Sequence, residues 1–361
     1  MTLTIILIAA AVGLAVFMYG VRSSMTSANR SSVASPARSG TPAITRPVAS
    51  EGPPFETEAT ASLFADCFKL GFSARDFDYD ITGQHAAVLA KVNDNAAAAV
   101  HQRDYFPRRP MLLPKLMQVL NDDDSTRREL VKLILEDPAL ASSTLQRANS
   151  AAYRYSPEPV DSLDRAVVML GTDGMRSLLA TAILQPVFRQ PKGYFDNFAN
   201  ITWEHAQRTA AAAEVCARSI GNADPFIAQL ISLLGPLARI VLFRLTMDTY
   251  RDYPDVRPRA EVFIRAMQLQ GPNVAGFIAS TWELSDPSIR ALQEQTDKVA
   301  PAMMSPLGQA IYFGELCGAL ALLTRRGNYS EEGALAVLME QGLSRQSTQE
   351  IWAAAKAAAE E

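Results

Sequence analysis

No stretch of this chain sustains the alternation of apolar and polar residues that a half-buried strand requires. Apolar residues recur instead at helical spacing, with Leu63, Phe64, Cys67, Phe68 and Leu70 in one segment and Leu130, Leu133 and Ile134 in another. Prolines, glycines and capping residues cut the pattern into short lengths. Such a chain can bury its apolar surface only by packing helix on helix, so the expected fold class is all-α. Helices are expected over about 59–70, 84–100, 162–170, 174–188, 203–219, 225–247, 259–269 and 274–284. About three more follow Pro301, including 306–325 and 346–356.

The N-terminus reads differently. Thr2 to Val21 carries no charge, and about 20 residues at helical rise span about 30 Å, the hydrocarbon thickness of a bilayer. A cleaved signal peptide would have a basic start, a shorter apolar stretch and a small-residue cleavage site. Here no Lys or Arg precedes the run, and Gly20-Val21-Arg22-Ser23 follows it. Arg22, Arg30, Arg38 and Arg46 come next, with no acidic residue before Glu51. Positive charge stays inside, so residues 1–22 are expected to be a single-pass anchor in the inner (cytoplasmic) membrane. The N-terminus would then lie outside and the bulk of the protein in the cytoplasm. Residues 23–55, rich in Ser, Pro and Arg, lack the large apolar side chains that folding needs and are expected to form a disordered linker. Their arginines could also contact anionic lipid headgroups.

A net charge of −4 gives no sign of a nucleic-acid binder. Cys67, Cys216 and Cys317 are far apart in sequence and form no CxxC pair, as suits a reducing compartment.

The run most dense in local signals is Glu136-Asp137-Pro138-Ala139-Leu140, continuing to Ala148-Asn149-Ser150-Ala151-Ala152-Tyr153. Asp137 is placed to cap a helix that Pro138 opens, while Thr126 and Glu129 have the spacing of a capping box for the helix before it. Leu140, Thr144, Leu145 and Ala148 form a face expected to be buried. Asn149 and Ser150 end that helix, where such side chains bond local backbone readily. Arg165 to Gly171 then closes another helix, with Leu170 before a terminating glycine.

This run resembles the signature of the HDOD family, bacterial signalling modules whose fold descends from the HD metal-dependent phosphohydrolases. The likeness extends more weakly from about Pro107 to about Pro301. It implies a helical lead-in over 56–105, an HDOD module over 106–300 and C-terminal helices over 301–361 packed on it. It also marks Asp137, Pro138, Leu140, Asn149, Ser150, Leu170 and Gly171 as structural or partner-facing positions.

The resemblance carries a second implication. Where an HD hydrolase would read Leu-Leu-His-Asp-Ile-Gly-Lys, this chain reads Leu233-Leu234-Gly235-Pro236-Leu237-Ala238-Arg239. Neither Gly235 nor Pro236 can bind a cation through its side chain, and metal chemistry of this kind needs several converging ligands. His205, in Trp203-Glu204-His205-Ala206, stands where the ancestor has its first histidine; near Leu292-Gln293-Glu294 the ancestor's later histidines are missing. Without a ligand set, His205 is more simply a hydrogen-bonded, half-buried residue. The reading is therefore no catalytic residues, no metal and no cofactor.

The implied function is a non-catalytic, membrane-anchored scaffold or output protein. It would bind an unknown signalling partner, in settings such as cyclic-dinucleotide, two-component or stress pathways. Two other classes stay open: a nucleotide or small-molecule sensor using the ancestral cavity, and a residual HD-type phosphohydrolase. Among weaker motifs, Asp76, Asp78 and Asp80 alternate like a calcium loop. Ile81 and Ala87 stand where that loop needs Gly and Glu. Gly71-Phe72-Ser73-Ala74-Arg75 starts like a nucleophile elbow and lacks its final glycine.

Overall fold

Every regular element among the described residues is helical. The computed structural model describes residues 58–74, 76–78, 80–99, 115, 127–135, 138–150, 153, 158–184, 193–297 and 299–358. The expected membrane anchor, the linker, Asp137 and the Thr126 cap lie outside them. In chain order the helices are α1 (Glu58–Phe72), α2 (Gly83–Ala99), α3 (Arg127–Leu135), α4 (Pro138–Ala148), α5 (Leu163–Leu184), α6 (Asn197–Ile220) and α7 (Pro225–Ser232). There follow α8 (Leu234–Arg251), α9 (Ala260–Thr281), α10 (Asp286–Thr296), α11 (Pro306–Arg325), α12 (Glu331–Glu340) and α13 (Arg345–Ala357). A short 3₁₀ turn, Pro301–Met303, precedes α11.

Capping chemistry sets many of the boundaries. Asp224 accepts from the Ile227 amide at the start of α7, with Pro225 in the first helical position. Ser305, Ser330 and Ser344 do the same for α11, α12 and α13 through Gly308, Gly333 and Ser347. Gly171 divides α5 in two with φ 65° and ψ 178°. That positive φ is a conformation glycine adopts without steric cost.

The structure departs from the sequence expectation in two places. Residues 225–247 read as one helix, yet the chain breaks at Leu233 between α7 and α8. Pro236 explains the break: it has no amide to donate to the Ser232 carbonyl, and its ring crowds that carbonyl. In the first turn of a new helix the same proline costs nothing. Conversely, 259–269 and 274–284 read as two helices, but α9 runs through Pro272 unbroken. Gly271 relieves the clash a proline imposes on its predecessor, and the bypassed Gln268 lies at the exposed surface, where water can serve its carbonyl.

The packing centres on α6 and α11. From Leu316 to Leu323 every residue of α11 is buried, the all-round apolar character of a central helix. Its Gly314 and Gly318 lie directly against Ala213 and Thr209 of α6. A second centre is aromatic. Phe72 (α1), Phe198 (α6), Phe243 (α8) and Phe263 (α9) meet, with Phe72 and Phe198 4.8 Å and Phe198 and Phe243 4.7 Å apart between ring centroids. Two described stretches, Pro225–Arg251 and Pro306–Arg325, are long and apolar enough to cross a bilayer, but most of their residues are buried in the fold, as core helices are. All the described helices belong to one compact unit, Gly52–Glu361.

Candidate functional site

The break at Leu233 places Gly235 and Pro236 in the first turn of α8. Pro236 is buried. A side chain built on Gly235 would point at Arg239, 3.8 Å from its guanidinium. Arg239 pairs with Glu315 of α11 at 2.8 Å. His205 of α6 lies beside them, only 3% exposed. Its Nε2 is 3.4 Å from the Glu315 carbonyl and 3.4 Å from Thr209 Oγ1. A carbonyl only accepts, so that contact calls for the proton on Nε2. Burial, with the charge of Arg239 next, holds the His205 pKa down to about 3, so the ring is neutral at physiological pH.

The fourth wall is α1. Phe64, Cys67, Phe68 and Gly71 fall on one helical face and lie over His205 and Arg239. Gly71 permits the close approach, since a β-carbon there would come 3.3 Å from the Phe198 ring. Burial pushes the Cys67 thiol up to about 12, which leaves it a protonated, unreactive packing group. The space left between these residues is about 20 Å³, room for about one water molecule.

These residues do not suit a divalent cation. Among the described residues no three His, Cys, Asp or Glu side chains converge as a ligand set, and the group beside His205 is itself a cation, Arg239.

Elsewhere the positions singled out by sequence divide between two regions. Pro138 opens α4, and Leu140, Thr144 and Ala148 are buried while Leu145 is half-buried against the core. Asn149 both ends α4 and holds the segment after it. Its Nδ2 donates to the Leu145 carbonyl at 2.9 Å and to the Val160 carbonyl at 2.8 Å, and its Oδ1 accepts from the Val160 amide at 2.7 Å. Side chain and backbone thus pair as two strands would, and the α4–α5 connection is pinned. Ser150 contributes its amide to the Arg147 carbonyl. Leu170 is buried and Gly171 exposed. This α4–α5 pair is separate from the helices that carry His205, Gly235 and Pro236.

The calcium-like loop is a strap. Asp78 donates its amide to Glu261 and accepts from Arg259 at its carbonyl, while Asp80 donates to the Asp78 carboxylate. Sequence reasoning missed Cys67, Arg239 and Glu315 as parts of the site. The available signal was Glu315 itself, an acid inside the otherwise apolar run Ile311 to Leu323.

Residues 106–298, more than half of the chain, match the HDOD domain family. The chain belongs to the HDOD family. Among solved structures it is similar to an HDOD domain protein of unknown function from Geobacter sulfurreducens (18% identity, 76% of this chain and 99% of that one, TM-score 0.50). It is also similar to a protein from Shewanella amazonensis SB2B named as a proposed metal-dependent phosphohydrolase (14% identity, 75% of this chain and 99% of that one, TM-score 0.53). At such identities the likeness is one of fold. An uncharacterized protein of Treponema pallidum (strain Nichols) is 24% identical over 233 residues, 61% of this chain; the match spans only 44% of that relative's length. In this HDOD protein α1 and α2 precede the matched residues, and α11 to α13 follow them.

Proposed function

We propose that this HDOD protein is a non-catalytic signalling component that works by binding a partner protein. A membrane anchor at residues 1–22 would hold the helical unit at the cytoplasmic face. One observation carries the reading: at the relict metal site Gly235 stands beside Arg239, which is paired with Glu315, and α1 packs over that pair. A volume of only about 20 Å³ also counts against a sensor using that cavity, since small-molecule sites run to about 300–1,000 Å³. The surface is then left to carry the signal. The partner class comes from the family: a signalling protein of a cyclic-dinucleotide, two-component or stress pathway.

The test uses full-length protein in detergent. Metal content by mass spectrometry and turnover of cyclic di-GMP and a phosphomonoester with added Mn²⁺ should both be at background. One metal held tightly per chain, or turnover lost on His205→Ala, would overturn the non-catalytic reading. For topology, a reporter fused after Glu361 should be active only as a cytoplasmic fusion.

A further inference from the structure

An open cavity lined by described residues lies outside the relict site. A cleft of about 800 Å³ lies beside it, across the C-terminal end of α1, the start of α6 and the end of α11. Its walls present Lys69, Ser73, Asn197, Asn200, Arg326 and Asn328. The lining is rich in donors: two cationic groups, three amides and a hydroxyl, from three separate parts of the fold. Asp66 is the one carboxylate among the lining residues, and it is paired with Lys69 at 3.0 Å.

Charge is unevenly matched at the Arg326 wall. Arg326 pairs with Glu204, and the same carboxylate also takes Arg208 at 3.1 Å and Arg325 at 3.6 Å. Three guanidiniums share one carboxylate, and Arg326, 43% exposed, is the one that reaches the cleft. A guanidinium fork in this setting still has donor directions to offer, and its preferred partners are carboxylate and phosphate oxygens. The opening turn of α6 adds to the same field, because helix N-termini favour negative charge. Asp196 at the N-cap offsets part of that field by its charge, although its side chain accepts from the Gly193 amide and makes no cap to α6.

We infer that this cleft binds a phosphate-bearing small molecule, with the phosphate between Arg326 and Asn200 and the remaining amides holding the rest of the ligand. The volume suits a ligand of ordinary metabolite size. Two features single out phosphate over a neutral ligand: the shared carboxylate of Glu204 and the paired state of Asp66. The site is independent of the relict cavity and of partner recruitment, and it requires no bond to be made or broken.

The experiment tracks the thermal unfolding of full-length protein in detergent by tryptophan fluorescence, with pyrophosphate as the probe and sodium chloride of equal ionic strength as control. The expected result is a saturable rise in Tm above the salt control, since a ligand that binds only the folded state stabilises it. Asn200→Asp is the decisive variant. A carboxylate in the first turns of α6 keeps or improves helix stability, so the protein folds while the cleft repels the probe at least tenfold. Arg326→Gln should weaken the response by a similar factor. Short-chain phosphatidate against matched phosphatidylcholine forms a second arm. A response to phosphatidate alone assigns the phosphate to a lipid headgroup, and a response to pyrophosphate assigns it to a soluble ligand. Silence in both arms, or an undiminished response in Asn200→Asp, overturns the inference.

Discussion

The contact between α6 and α11 allows a substitution to be argued in both sign and size. A β-carbon on Gly314 would stand 2.7 Å from Ala213 Cβ and 3.0 Å from Ala213 Cα and N. Two of those three atoms are backbone, so no side chain can rotate away. Restoring ordinary contact distance would require the helices to part by roughly an ångström, and overpacking of this kind costs about 1–3 kcal/mol. Alanine gains about 1 kcal/mol over glycine in a helix interior, so Gly314→Ala should be destabilising by up to about 2 kcal/mol net. Gly318→Ala meets the Thr209 amide nitrogen at 2.8 Å and should behave alike. The double variant should cost less than the sum, because one separation of the helices relieves both clashes. Gly276 of α9 is the control: no atom lies within 4 Å of its missing β-carbon, so Gly276→Ala should stabilise by about 0.4–1 kcal/mol. Guanidinium unfolding monitored by the fluorescence of Trp282 and Trp352, both buried, measures each. If Gly314→Ala matched Gly276→Ala in sign, the close-approach argument would be wrong.

Three further outcomes can be checked. His205 has a folded pKa of about 3 against 6.5 unfolded, so its contribution is full above pH 6.5 and is lost as pH falls toward 3. At pH 5 the loss is about 2 kcal/mol, and denaturation at pH 7.5 and pH 5 should show that increment in the wild type and not in His205→Gln. Arg208, 1% exposed, donates to the Ala355 carbonyl at 2.8 Å and pairs with Glu204. Glu204 keeps Arg325 and Arg326 in Arg208→Leu, so the main loss is the bond to the Ala355 carbonyl, about 1–3 kcal/mol, with hydrogen exchange rising first in α13. Asn149→Ala should cost about 1–3 kcal/mol by stranding the Val160 amide and carbonyl, and Leu140→Ala about 2–5 kcal/mol, whereas Gln146→Glu on the exposed face should leave the melting temperature unchanged.

Much of this protein was legible where the physical cause lies within a few residues of its effect. Helix periodicity set the class, and Gly171 announced the break in α5. Each is a property of one residue's backbone or functional group and needs no distant partner. Even so, local signals ranked wrongly at two prolines: Pro236 ends a helix at Ser232, while Pro272 passes through α9. A proline's cost depends on whether its bypassed carbonyl is buried or reaches water, which the surrounding fold decides. Tertiary structure alone brought Cys67, His205, Arg239 and Glu315 into one filled site. It also gathered three arginines onto Glu204, and gave Gly314 and Gly318 a role as contact points. Those residues are separated by tens to hundreds of positions, and their meaning lies in desolvation, charge proximity and close packing, which exist only once helices meet.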